Sequence, residues 1–222
     1  MAKKKTGLLD IMPERFGELS EDEQSLFHNA QESGLVLFNN RSMQKTKGIL
    51  TGILDPNPPE ANLPLIRGSI LAWLIRNKDA RYHLTQDGLT ICGANISGHL
   101  DASFANFPMK LSFICCNIPD GISIQHSNFG LLNFEGSHIC GGINAEHINV
   151  NGSIFLRNGF SSTGTVRLIS SNIGSDLDCS NGKFINSRSP TIAADGIKVN
   201  GCLHFNGNFI SKGTVRLHGA KI

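Results

Sequence analysis

The stretch VNGSIFLRNGFSSTGTVRLISSNI, residues 150–173, can be laid over VNGCLHFNGNFISKGTVRLHGAKI, residues 199–222, with 11 of 24 positions identical and no gap. Both copies contain GTVRL, at Gly164–Leu168 and Gly213–Leu217. The segments just before them, INAEHINV at 143–150 and IAADGIKV at 192–199, match more loosely. Self-similarity of this length marks a solenoid, and it governs every later reading of the chain.

A shorter motif runs inside the long one. An Ile or Val is followed four residues later by Leu or Ile at Ile96/Leu100, Ile118/Ile122, Val150/Ile154, Ile173/Leu177 and Val199/Leu203. An apolar or small residue follows two positions on, at Ala102, Ile124, Leu156, Cys179 and Phe205, and a Phe closes each unit, at Phe107, Phe129, Phe160, Phe184 and Phe209. Short alternating runs broken by Gly and Asn read as brief strands joined by tight corners. The spacing predicts coils of roughly 22 to 26 residues, with a less regular stretch around GLLNFEGSHICGG. The expected fold is an all-β solenoid, a right-handed parallel β-helix of about four to six coils stacked about 4.8 Å apart. Val166, Leu168, Val215 and Leu217 should then point inward, and Arg167 and Arg216 outward. Asn and Gly should turn the corners, where left-handed backbone is needed.

Residues 1–61 read as a helical and irregular segment, 62–85 as a capping helix and 86–222 as the repeats. Ser20-Glu21-Asp22-Glu23 forms a capping box that opens a helix. The Pro-rich run between it and Asn62 reads as irregular. Asn62 to Ala80 puts Leu65, Ile66, Ile70, Leu71, Leu74 and Ile75 on one helical face with Trp73 nearby. Such a helix, anchored by Leu65, Ile66, Ile70, Trp73 and Leu74, would cover the exposed strand edge of the first coil. A partner-binding helix is the alternative.

These units resemble a bacterial β-helical, pentapeptide-like repeat family built from GSVFLRxGFxAxGEVRLxGAxIGGxLDCSGG-type repeats. LIRGSILAWLIRNKDARYHLTQDGLTICGANISGHLD is similar to the leader before them. The resemblance spans roughly residues 62–222 and implies a β-helix. Family members are often catalogued as membrane-associated oxidoreductases, without a catalytic motif to account for that name. Thr165 and Thr214 stand where the family favours Glu.

Function is less legible. The chain has one Trp and one Tyr, 17% charged residues and a net charge of +2. That balance argues against nucleic acid as a partner unless charge clusters. No apolar run is long enough for a signal peptide or a membrane span, which points to the cytoplasm and leaves peripheral membrane contact open. There is no G-x-G-x-x-G, G-x-S-x-G or H-E-x-x-H, so no cofactor, metal or catalytic group is expected. The eight histidines read as surface residues, and the six cysteines as small core residues, since Cys92, Cys116 and Cys140 recur every 24 positions. Asp176 and Asp178, flanking Leu177, are the weak catalytic or calcium-binding candidates of a glycan-acting enzyme, with Asp101 in the place of Asp178. Arg157, Arg167, Arg216, Lys198 and Lys212 form the candidate interaction surface, to which a nucleotide or nucleic acid is the alternative ligand. Ile222 is the counterpart of Ile173, so the sequence stops mid-unit. The leading expectation is a non-catalytic scaffold whose open edge, with Val215, Leu217 and Ile222, recruits a protein partner or a second copy end to end.

Overall fold

The computed structural model describes residues 7–38 and 63–222. The Pro-rich run and Asn62 lie outside the described residues. Within them, short parallel strands stack into a solenoid of about six turns with three sheets, which we call A, B and C, of ten, seven and six strands. One column on sheet C shows the turn: Leu100, Ile122, Ile143, Val166, Ile192 and Val215 lie in register from coil to coil. Successive turns are therefore 21 to 26 residues long. The longest holds the extra bend Asn186–Pro190, which Asn186 Oδ1 closes by accepting from the backbone of Arg188 and Ser189.

Three further columns complete the core. Phe107, Phe129, Val150, Ile173 and Val199 stack on sheet A. Leu111, Leu132, Ile154, Leu177 and Leu203 stack on a second side of the same sheet, which splits at a corner from the third full coil onward. On sheet B, Ile66, Ile96, Ile118 and Ile139 give way to Ser162, Phe184 and Ser211. The rings of Phe160, Phe184 and Phe209, 5.3 and 5.5 Å apart, fill the space the serines leave. Buried serines stitch coils together: Ser127 Oγ donates to Ala102 O and accepts from Ala105 N, and Ser171 Oγ does the same between Ala145 O and Ile148 N.

The columns revise two expectations. Ile96/Leu100 and Ile118/Ile122 bridge sheets B and C, whereas Val150/Ile154, Ile173/Leu177 and Val199/Leu203 lie on the two sides of sheet A. One apolar motif thus marks two different corners of the coil. Its closing phenylalanines likewise fall into separate stacks, since Phe107 meets Phe129 and Phe160 meets Phe184. The 49-residue period of the long repeat is two coils, as coils of 22 to 26 residues require: Ile192 lies between Val166 and Val215 in their column, and Val199 lies between Ile173 and Ile222.

Helix α1, Glu21–Glu32, starts at Ser20 with both halves of the capping box in place. It buries Glu23, Leu26, Phe27 and Ala30, the spacing of one helical face. Strand β1, Leu35–Leu37, follows and pairs with β3, Leu89–Cys92. The expected helix over 62–80 is three elements. Strand β2, Leu65–Arg67, joins sheet B beside Asn95–Ser97, so Ile66 faces the core as strand and Leu65 is exposed. Helix α2, Gly68–Arg76, then buries Ile70, Leu71, Trp73, Leu74 and Ile75. Asn77 turns extended, ends α2 and caps α3, Lys78–Tyr82, by accepting from Ala80 N.

Helix α2 lies against the first strand of sheet C, Leu100–Asp101, with α1 against β1 and β2. Gly68 permits the approach, because a Cβ there would stand 2.8 Å from Gly98 O. Trp73 is sandwiched by Phe27, stacked at 5.9 Å, and by Phe16, edge-on at 6.1 Å. Each large side chain so removed from water contributes about 1.5–3 kcal/mol.

Candidate functional site

Alternation along short strands fixes what the solenoid shows to solvent. Leu177 and Leu203 point inward, so their neighbours Asp176, Asp178, Cys202 and His204 line an outer face, with Asp178 in register with His204. The two aspartates have different surroundings. Asp178 accepts from Arg157 Nη1 at 2.9 Å and from Ser180 N at 2.9 Å. Burial acts to raise its pKa, but the bonds from Ser180 and Arg157 outweigh burial and hold the carboxyl below its usual range. An ionised, ion-paired Asp178 has no proton to donate as a general acid. Arg157 also lies 4.3 Å over the Phe155 ring and 3.7 Å from Glu135. Asp176 instead accepts from Cys202 N at 2.8 Å, and its own N–H donates to Ser153 Oγ. Ligand atoms of Asp176, Cys202 and His204 lie within 4.8 Å of one another. Asp101 is not part of this face; it stands in the sheet C column with Ser123, Asn144, Arg167, Ala193 and Arg216.

The basic residues are spread over several sides. Arg167 and Arg216 share the sheet C column, separated by Ala193. Each is paired with an acid from the preceding coil: Arg167 Nε with Glu146 at 2.6 Å and Arg216 Nε with Asp195 at 2.5 Å. Lys198 lies on sheet A between Asn172 and Lys221, and Lys212 on sheet B opposite Ile185. Arg157 belongs to the Asp178 side. The solenoid thus brings Arg167 and Arg216 onto one side and places Lys198, Lys212 and Arg157 on others.

At the C-terminal end, Leu203, Phe205, Phe209, Val215 and Leu217 are only partly buried, and Ile222 is 66% exposed. At the other end an open cleft of about 790 Å³ lies where the cap meets the first coil, lined by Arg15, Trp73, Arg76, His99 and Asp101 among others.

The six cysteines are free, but they do not stack on one another. Cys92 pairs with Ile114 rather than with Cys116, so the 24-residue recurrence is not a column. Burial pushes the Cys92 thiol up to about 11 and also raises those of Cys116 and Cys179, which keeps them protonated and unreactive. Cys202 is the exposed one.

One feature of the outer surface was not anticipated. The corner after sheet C has left-handed backbone at Phe104, His126, His147, Ser170, Gly196 and Gly219, one per coil. The rings of Phe104, His126 and His147 stack outside, 5.2 and 4.9 Å apart. The signal was present two residues on, in the asparagines 106, 128, 149 and 172, which recur at the coil period. Three of them form an outward ladder, Asn149 Nδ2 donating to Asn128 and Asn172 Nδ2 to Asn149.

No described helix is long and apolar enough to cross a membrane. No protein-family model, curated protein or solved structure matches this chain.

Proposed function

We propose that the chain is a non-catalytic β-helical scaffold that associates through the edge of its last coil, in the first instance with a second copy of itself. The observation that carries this reading is a contrast between equivalent residues. Leu177, Cys179, Ile192, Ala194 and Ile197 are at most 1% exposed, whereas the residues stacked on them, Leu203, Phe205, Val215, Leu217 and Ala220, are only partly covered. A strand edge backed by half-exposed aliphatic and Phe side chains favours addition of another edge. Among the described residues the first coil is the more covered end, because α1 packs on β1 and β2 and α2 on the first strand of sheet C. Head-to-tail growth is therefore disfavoured, and a closed tail-to-tail pair about a two-fold axis is the natural product. The rigid outer faces, with side chains held about 4.8 Å apart, would be presented in duplicate.

Light scattering over a wide concentration range tests this. The expected result is a concentration-dependent dimer that Ile222→Asp converts to monomer. A strict monomer, or unlimited growth beyond the dimer, would overturn it.

A further inference from the structure

We infer that Asp176, Cys202 and His204 form a site for a borderline divalent cation of the zinc type, which clamps the last coil onto the coil before it. The site does not rest on self-association and uses a lateral face, not the end.

The donor set is one carboxylate oxygen, one thiol sulfur and one imidazole nitrogen. Each is an established type of zinc ligand, and together they disfavour calcium and magnesium, which take oxygen. The solenoid itself builds the set. His204 ends the short strand Leu203–His204 and Cys202 immediately precedes it, so the two, flanking inward Leu203, project to the same side. The pairing of Leu177 with Leu203 places Asp176 directly beside Cys202 on the neighbouring coil. The ligand atoms already lie within 4.8 Å of one another, within reach of small side-chain rotations.

Two details make the arrangement specific. The Cys202 N–H donates to Asp176 Oδ1 at 2.8 Å, which orients the carboxylate as hydrogen bonds commonly orient metal ligands. Residue 201 is a glycine, and a Cβ there would overlap Asp176 Oδ1, so the carboxylate's approach to this coil requires Gly201. Asp178 cannot compete as a ligand while Arg157 and Ser180 occupy it. Three protein ligands leave a fourth position for water or for a group from a partner. On binding, the Cys202 thiol gives its proton to solvent and the thiolate joins the metal, so affinity rises with pH.

The clamp has a physical rationale. Among the described residues the last coil stacks on one neighbour and its apolar side chains are only partly buried, and nearest-neighbour stacking supplies most of a solenoid's stability. A metal bound across Asp176 and the Cys202–His204 strand adds a cross-coil link where stacking is weakest.

The test uses the full chain, reduced and metal-free, titrated with Co²⁺. We expect saturation at one equivalent, a thiolate-to-cobalt absorption band, the intense visible bands of a four-coordinate ion, and displacement by one equivalent of Zn²⁺. Cys202→Ser should abolish the thiolate band; being exposed, this position tolerates the change. His204→Ala or Asp176→Asn should weaken binding by at least about tenfold. Cys140→Ser is the control, because Cys140 Sγ lies 3.2 Å from His138 Nε2 and makes a second thiol–imidazole pair. Zn²⁺ should also slow amide exchange in residues 199–222 of the wild type and not of Cys202→Ser. The site is overturned by the absence of a thiolate band, by a band that survives Cys202→Ser, or by one lost in Cys140→Ser. Exchange that is indifferent to Zn²⁺ overturns the clamp.

Discussion

The two ends of the solenoid present the same kind of strand edge and treat it differently. At the start, β1 and β2 extend sheets A and B by one strand each, α1 packs over them, and α2 closes sheet C. The seal is polar as well as apolar. Glu23, 2% exposed, accepts from Arg67 Nε at 2.8 Å and Nη2 at 2.7 Å, from Arg67 N and from Ser20 N. One carboxylate therefore completes the capping box of α1 and fastens it to β2. At the far end, among the described residues, the core columns run out into half-exposed Phe205, Phe209 and Leu217. Because each coil is held mainly by its neighbours, this asymmetry implies a gradient of local stability along the rod, highest in the middle coils and lowest in the last.

The largest expected effect sets a middle coil against the last one within a single aromatic stack. Phe184 is fully buried between Phe160 and Phe209, while Phe209, packed against both Phe184 and Phe205, is only half-buried. Phe184→Ala should cost about 3–5 kcal/mol, the range for deleting a buried ring and leaving a cavity. Phe209→Ala should cost about 1–2 kcal/mol, in line with the smaller area removed from water. Urea unfolding of both variants measures the difference. Equal losses would mean that the last coil is as well packed as the middle, and the gradient would be wrong.

The capped end is next in size. Glu23→Gln keeps the shape of the side chain but removes the charge that faces Arg67, and should cost about 2 kcal/mol, as for a hydrogen bond to a charged group. Burial alone would raise the Glu23 pKa, yet the bonds from Arg67 and Ser20 prevail and hold it below its ordinary value of 4.5. A folded pKa below the unfolded one contributes stability that is fully present above the ordinary carboxylate range and is lost as pH falls through the folded value. The wild type should therefore lose its advantage over Glu23→Gln on acidification. Urea midpoints of the two proteins, measured from neutral pH downward, should converge. A constant offset would show that the carboxylate's charge is not what fastens the cap.

The middle of the rod was far more legible than its ends or its faces. Residues 150–222 declare a solenoid because aliphatic columns must be filled in every coil, and filling them repeats the sequence. The coil frame was harder to read, because the same Ile-x-x-x-Leu spacing suits any corner where one inward side chain is followed by another. The gap from Ile118 to Val150 looked irregular for this reason: it is one full turn to Ile139, then a step to a different corner. The asparagines at 106, 128, 149 and 172 would have fixed the frame. At the cap, Leu65 and Ile66 fall in phase with the helical face of Ile70 and Leu74, so apolar spacing could not separate strand β2 from helix α2. The Asp176, Cys202 and His204 cluster was hidden for another reason. Its members meet across the one coil lengthened by Asn186–Pro190, so no fixed ligand spacing could announce it.

The smallest effect asks whether the outer faces share the gradient of the core. Arg167 sits in a middle coil and Arg216 in the last, yet their side chains are 45% and 46% exposed, and their acids, Glu146 and Asp195, 23% and 24%. Each arginine reaches back to an acid on the coil before it, so each pair needs only the neighbour that both coils possess. Exposed ion pairs of this kind contribute no more than about 1 kcal/mol and weaken as salt rises. Arg167→Ala and Arg216→Ala should therefore have small and equal effects on stability, and both should shrink in high salt. Unfolding midpoints at low and high ionic strength are the measurement. If Arg216→Ala proves the more damaging, the outer ion pair is helping to hold the last coil in place, and the difference between the ends is written on the surface as well as in the core.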